Sequence, residues 1–154
     1  LKSLQTLNLM SNQIASIDFK SFQHLINLEV LALDHNQLRV IEAHLFDKLT
    51  RLRELTIGEN KLSRSLDSNL FEYQTNLKLL NLESNSLETI DEYLFRNQRQ
   101  LIELNLAKNH LRSINENAFR NLKCLENLNL SSCLSQTSLN KNLLSSLARL
   151  KRIN

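Results

Sequence analysis

Aliphatic residues recur along this chain in the order Leu-x-x-Leu-x-Leu-x-x-Asn-x-Leu, first as Leu4, Leu7, Leu9, Asn12 and Ile14. The order returns from Leu28 (Leu31, Leu33, Asn36, Leu38), Leu52 (Leu55, Ile57, Asn60, Leu62), Leu77 (Leu80, Leu82, Asn85, Leu87) and Leu101 (Leu104, Leu106, Asn109, Leu111). A sixth copy from Leu125 (Leu128, Leu130) puts Cys133 at the asparagine place, and the starts are 24, 24, 25, 24 and 24 residues apart. A fixed period of this length is the signature of stacked structural repeats. The leucines of each Leu-x-Leu lie two residues apart, so in a strand they share the inward face while the residues between them point out. One repeat cannot bury these leucines alone, so neighbours must stack. Phe22, Phe46, Phe71, Phe95 and Phe119 follow the asparagines at ten or eleven residues and are expected to fill the outer part of the same core, with Leu143 in that place in the sixth copy.

A polar column inside an apolar stack is costly unless its hydrogen bonds are met. An amide both donates and accepts, so Asn12, Asn36, Asn60, Asn85 and Asn109 are expected to bond turn backbone of their own and adjacent coils as a ladder. A second polar column, Asp18, Glu42, Asp67, Asp91 and Asn115, is suited to capping a short turn ahead of each phenylalanine, with Glu42 the weakest cap. In the third repeat Ser63, Arg64 and Ser65 separate Leu62 from Leu66, one residue more than elsewhere, and this insertion is expected to bulge away from the strand side.

These residues resemble the leucine-rich repeat family in its 24-residue form, that of Toll-type receptor ectodomains and secreted immune repeat proteins. The resemblance covers residues 1 to about 133. It implies an α/β solenoid, curved, with one short parallel strand per repeat on the concave side and irregular or short helical turns on the convex side. Leu147, Leu150 and Ile153 copy the spacing of Leu25, Leu28 and Leu31, so residues 1–154 read as one array of six repeats plus the start of a seventh. Neither end carries an obvious cap, which leads us to expect a piece of a longer protein. The segment from Ser135 to Leu144 departs from the pattern and reads as a longer convex helix or a loop.

Composition removes several chemistries. With 36 leucines and 20 asparagines but one glycine and no proline, the chain cannot build a glycine-rich phosphate loop or a dinucleotide fingerprint. His24, His35, His44 and His110 fall at unrelated repeat positions, and no hydrolase or metal-ligand spacing occurs, so neither catalysis nor a metal or other cofactor is expected. Cys133 reads as a small buried thiol and Cys124 as lying near solvent, too far apart in the strand register to be bonded to each other. No apolar run is long enough to insert in a membrane.

Net charge is +3, but its distribution is polar. The outward strand columns and their flanks hold Glu29, Asp34, Glu54, Glu59, Glu83, Glu103 and Glu126 against Arg53, Lys78 and Lys108, or −4, leaving +7 elsewhere. Those outward columns are chemically mixed whereas the inward ones are uniform, so we expect the partner on the concave face at Glu29, Val30, Arg53, Glu54, Thr56, Lys78, Leu79, Asn81, Ile102, Glu103 and Asn105. Val30, Leu79 and Ile102 are the expected apolar anchors. Arg96 over Arg120 and Arg99 over Lys123 form an alternative lateral patch for an anion such as a nucleic acid or glycosaminoglycan, with Glu72 and Glu116 near enough to offset it. Aromatic interleaving for base stacking is missing, since Tyr73 and Tyr93 are the only tyrosines, which disfavours specific single-strand recognition and makes nucleic acid the less expected partner. The resemblance implies recognition of a protein ligand or partner subunit in an extracellular innate-immune protein, secreted or a receptor ectodomain. Cell adhesion or matrix organisation is the alternative, and oligomerisation through regions outside these residues stays open. Asn129-Leu130-Ser131 is the one glycan acceptor sequence.

Overall fold

The structure, a computed structural model, describes residues 1–133 and 142–154. Its strands in chain order are β1 (Thr6–Asn8), β2 (Val30–Ala32), β3 (Glu54–Thr56), β4 (Ser63–Arg64), β5 (Leu79–Asn81), β6 (Ser86–Leu87), β7 (Thr89–Ile90), β8 (Glu103–Asn105), β9 (Ser113–Ile114), β10 (Asn127–Asn129) and β11 (Arg152–Ile153). Seven of them, in the order β1-β2-β3-β5-β8-β10-β11, form one parallel sheet in which each strand pairs with that of the next repeat. Register follows the leucine period: Leu7, Leu31, Leu55, Leu80, Leu104, Leu128 and Ile153 stand in one row. From Leu31 to Leu128 that row is fully buried.

Behind the sheet the phenylalanines stack as a spine. Phe46, Phe71, Phe95 and Phe119 are each 0% exposed, with successive ring centroids 6.3 Å apart. Among the described residues there is no helix, so of the irregular or short helical convex turns that the resemblance implies, the helical kind is not found and the spans are irregular, built from isolated turns. Their amides bond three residues back: Ser21 to Asp18, Leu25 to Phe22 and Leu28 to Leu25 in the first span, Leu45 to Glu42 and Leu49 to Phe46 in the second. Each span is short and must turn several apolar side chains toward one core, so a helical nucleus has too little length to repay its cost. Asp18, Asp67, Asp91 and Asn115 do cap these turns, each Oδ1 accepting the amide two residues on at 2.7–2.9 Å. The side chain of Glu42 makes no such bond.

The asparagine ladder is built as the sequence requires. Asn60 Nδ2 donates to Leu33 O at 3.0 Å, Ile57 O at 3.2 Å and Gly58 O at 3.0 Å, while its Oδ1 accepts Leu38 N–H at 3.0 Å. Asn36, Asn85 and Asn109 repeat this set. The bonds hold a strained turn, since the residue before each ladder position (Ser11, His35, Glu59, Ser84, Lys108, Ser132) has φ between 50° and 55° without being glycine. At Cys133 the thiol donates to Leu130 O, and the Cys133 carbonyl replaces the missing amide by accepting Leu111 N–H at 2.8 Å.

Two small back sheets were not foreseen. The extra residue of the third repeat lies at Ser63–Arg64, which pairs in parallel with Ser86–Leu87, and Thr89–Ile90 pairs with Ser113–Ile114. The expected convex helix or loop at Ser135–Leu144 falls largely outside the described residues.

Candidate binding face

Seven parallel strands about 4.8 Å apart lay the outward residues in rows. One row reads Thr6, Val30, Glu54, Leu79, Glu103, Asn127 and Arg152, and the next Asn8, Ala32, Thr56, Asn81, Asn105 and Asn129. Glu29, Arg53, Lys78 and Ile102 precede the strands and border the first row. The structure therefore brings all the expected sheet-face residues together. The apolar anchors are less open than expected, because Val30, Leu79 and Ile102 are half-buried against neighbouring side chains at strand spacing.

Internal pairing sorts the charges of this face. Arg53 Nη1 pairs with Glu29 Oε2 at 3.2 Å, Lys108 Nζ with Glu83 Oε1 at 2.8 Å, and Lys151 Nζ with Glu126 Oε2 at 2.8 Å. His35 Nδ1 lies 3.1 Å from Glu59 Oε2. Among the described residues Glu54 and Lys78 have no ion pair, and Glu103 is met only by Asn127 Nδ2 at 3.4 Å. Leu79 thus sits between two carboxylates on adjacent strands, neither of which is neutralised from within.

Asp34 was expected to add surface charge, and the structure corrects this: it is 6% exposed. Thr56 Oγ1–H donates to its Oδ2, and its Oδ1 accepts Gly58 N–H at 2.8 Å and Asn81 Nδ2 at 3.3 Å. A side chain on Gly58 would place Cβ 2.9 Å from both Asp34 Oδ1 and Asn81 Nδ2, which explains the single glycine of the chain. Further along, Asn105 Nδ2 donates to Glu83 Oε2 at 2.9 Å. The Lys108 ammonium, by its hydrogen bond, holds the Glu83 carboxyl below its ordinary pKa against the opposing effect of burial, and Glu83 in turn raises Lys108. Two shallow concavities of about 400 and 500 Å³ open on this face, one around Leu79, Glu103 and Asn129, the other around Val30, Glu54 and Asp34.

The lateral patch is partly neutralised. Arg96 Nη2 contacts Glu72 Oε1 at 3.1 Å and Asn69 Oδ1 at 3.0 Å, and Arg120 Nη1 lies 3.8 Å from Glu92 Oε2. Arg99 and Lys123 are exposed and have no ion pair among the described residues. Both cysteines are free, Cys133 buried and Cys124 half-buried with Arg149 Nη1 3.8 Å from its sulfur. Burial raises the Cys133 thiol pKa. Among the described residues no group of three His, Cys, Asp or Glu could hold a metal, and no helix is long and apolar enough to cross a membrane.

This geometry, repeated strand by strand, agrees with the sequence comparisons. The family model described as BspA type Leucine rich repeat region (6 copies) matches residues 15–151, and that of the Leucine Rich Repeat matches residues 3–25. The chain belongs to the leucine-rich repeat family. Among curated proteins none matches it. Solved structures do. A chain of the Drosophila Toll–Spatzle complex is 27% identical over 94% of this chain and 20% of its own, with a TM-score of 0.85. A leucine-rich repeat protein of Leptospira interrogans is 28% identical over 99% of this chain and 37% of its own, with a TM-score of 0.86. An octameric complex of Latrophilin 3, Unc5D and the leucine-rich repeat part of FLRT2 contains a match 32% identical over 84% of this chain and 39% of that one, with a TM-score of 0.76. The chain thus spans between a fifth and two fifths of the chains it matches.

Proposed function

We propose that this chain is the ligand-recognition part of an extracellular innate-immune protein and that the sheet face of its middle repeats binds a protein partner. The observation that carries the reading is the row Val30, Glu54, Leu79, Glu103, where half-buried apolar side chains alternate with carboxylates free of internal cations. A rigid parallel sheet loses little order on binding, so such a row can serve as an anchor with a polar rim. The similarity to a Toll chain solved with Spatzle, in work on development and innate immunity, supports the immune setting. An adhesion or matrix role would use the same face, and the similarity to a repeat protein in a multi-protein octamer is the observation on its side.

The test is a comparison of faces. With a protein ligand in hand, Glu54→Lys and Leu79→Asp each weaken binding by about tenfold or more, while Arg96→Glu and Arg120→Glu leave it unchanged. The reverse pattern, with all four variants folded, moves the site to the flank and favours the anion reading at Arg96, Arg99, Arg120 and Lys123.

A further inference from the structure

The second outward row contains four asparagines whose Oδ1 closes the turn after the strand. Asn8 accepts Met10 N–H at 2.9 Å, Asn81 accepts Glu83 N–H at 3.0 Å, and Asn105 and Asn129 accept Ala107 and Ser131 N–H at 3.1 Å. Their amide nitrogens have different fates. Asn81 Nδ2 is taken by Asp34 and Asn105 Nδ2 by Glu83, carboxylates that stand two residues beyond an earlier strand's asparagine place. One repeat before Asn129 that place holds Ala107, which offers no side-chain acceptor, and two repeats before it Glu83 is already engaged by Asn105 Nδ2 and Lys108 Nζ. Asn129 Nδ2 accordingly has no hydrogen bond among the described residues. Its Oδ1 instead takes a second bond, from Ser131 Oγ–H at 2.8 Å. Asn8 Nδ2 is also unbonded, but Met10 stands where a hydroxyl would be needed.

We infer that Asn129 is an N-glycan acceptor whose sugar occupies the sheet face at β10. The free nitrogen and the hydroxyl two residues on are the chemistry that amide glycosylation requires. Asn129 Nδ2 attacks the anomeric carbon of a lipid-diphosphate-linked oligosaccharide; an N–C bond forms, the C–O bond to diphosphate breaks, and the amide nitrogen gives up one proton without any redox change. In the fold the linkage displaces no internal bond, because the hydrogen bonds that close the turn use Oδ1 and not the nitrogen. Asn105 and Asn81 lack the hydroxyl two residues on, and their nitrogens are engaged by Glu83 and Asp34. A glycan at β10 also lines the concavity bounded by Asn105, Asn127 and Arg152 and confines a protein partner to β2, β3, β5 and β8. The inference rests on the extracellular reading above.

The experiment is secretion of the chain behind a cleavable leader from a host with a lumenal oligosaccharide transferase, followed by intact-mass analysis. One N-glycan is expected; Asn129→Gln and Ser131→Ala abolish it, and Ser131→Thr retains or raises its occupancy. Translation into microsomal membranes, scored by a size shift that Asn129→Gln removes, gives the same answer for a variant that is not secreted. Bare Asn129 in the secreted, folded chain, or no shift in microsomes, overturns the inference. The reading of the sheet face is judged separately by Leu79→Asp, whose effect on partner binding is measured in the Asn129→Gln background and so does not depend on the sugar.

Discussion

Gly58 N–H donates to Asp34 Oδ1 at 2.8 Å across 24 residues of sequence, and the same oxygen lies 2.9 Å from where a Gly58 Cβ would stand. The glycine and the buried carboxylate therefore require each other. Gly58→Ala is expected to destabilise by about 1–3 kcal/mol through overpacking. Asp34→Ala should cost a similar amount, because the Gly58 amide, Thr56 hydroxyl and Asn81 amide lose their acceptor. Because both changes act on one contact, the double variant should be clearly more stable than the sum of the singles predicts, as read by urea denaturation. Strict additivity would show that the close approach is not what keeps residue 58 a glycine.

The ladder should weaken according to how many coils each amide joins. Asn60 bonds its own turn and the preceding repeat and is 9% exposed, whereas the Nδ2 bonds of Asn12 go only to Leu9 O and Met10 O of its own turn. Asn60→Leu is expected to cost at least about 1–3 kcal/mol, since several buried backbone groups lose their partner, and Asn12→Leu much less. Equal thermal midpoints for the two variants would remove the ladder from the account of stability.

Much of this architecture was legible because the period is read from many independent positions. Leu31, Leu55, Leu80, Leu104 and Leu128 share one buried row, and the asparagine and phenylalanine columns lie where their spacing places them. What was missed depends on contacts between repeats. Asp34 occupies a flank position where charge is usually solvated, and the hydroxyl of Thr56 and the bare backbone at Gly58, one repeat later, with the Asn81 amide two repeats later, make it an interior group. For the convex turns the helical alternative came from the resemblance, while the segment from Ser135 to Leu144, where helix spacing was the argument, falls largely outside the described residues. Gln74 and Gln98 could have been found: they stand three residues after Phe71 and Phe95, where Leu25, Leu49 and Leu122 follow Phe22, Phe46 and Phe119.

Those two glutamines carry a prediction of their own. Both are 0% exposed; Gln74 Nε2 donates to Phe46 O at 2.7 Å and Gln98 Nε2 to Phe71 O at 2.6 Å, while each Oε1 is buried without a partner among the described residues. Phe46 O and Phe71 O already accept the amides of Leu49 and Gln74, so the side-chain bond is an addition to a satisfied carbonyl. Losing it forfeits roughly 0.5–1.5 kcal/mol, whereas an unpaired buried acceptor costs roughly 1–3 kcal/mol. Gln74→Leu and Gln98→Leu are therefore expected to raise stability modestly in chemical denaturation. A loss of stability in both would mean that the carbonyl oxygens have a polar partner, such as a buried water, that the leucines displace.

The Glu83–Lys108 pair gives the sheet face an acid limit. Lys108 holds the Glu83 carboxyl below its ordinary value of 4.5, chiefly through their hydrogen bond, and Asn105 Nδ2 acts in the same direction. A depressed folded-state pKa contributes stability that is fully present above the unfolded value and is lost as pH falls through the folded one. The contribution of this pair should therefore be intact at neutral pH and disappear below the ordinary carboxyl range. Both partners face solvent, with 61% of the Lys108 side chain and 27% of that of Glu83 exposed, so salt should weaken it. Lys108→Met removes the largest cause: the Glu83 carboxyl should then titrate at higher pH, with burial, which raises it, outweighing the hydrogen bond from Asn105, and lose most of its salt dependence. Following the Glu83 side-chain carboxyl carbon by NMR across the acid range, in parent and Lys108→Met, would measure both midpoints. Coincident curves would mean that Lys108 does not hold Glu83 in solution, and that this carboxylate, like Glu54 and Glu103, faces an incoming partner unneutralised.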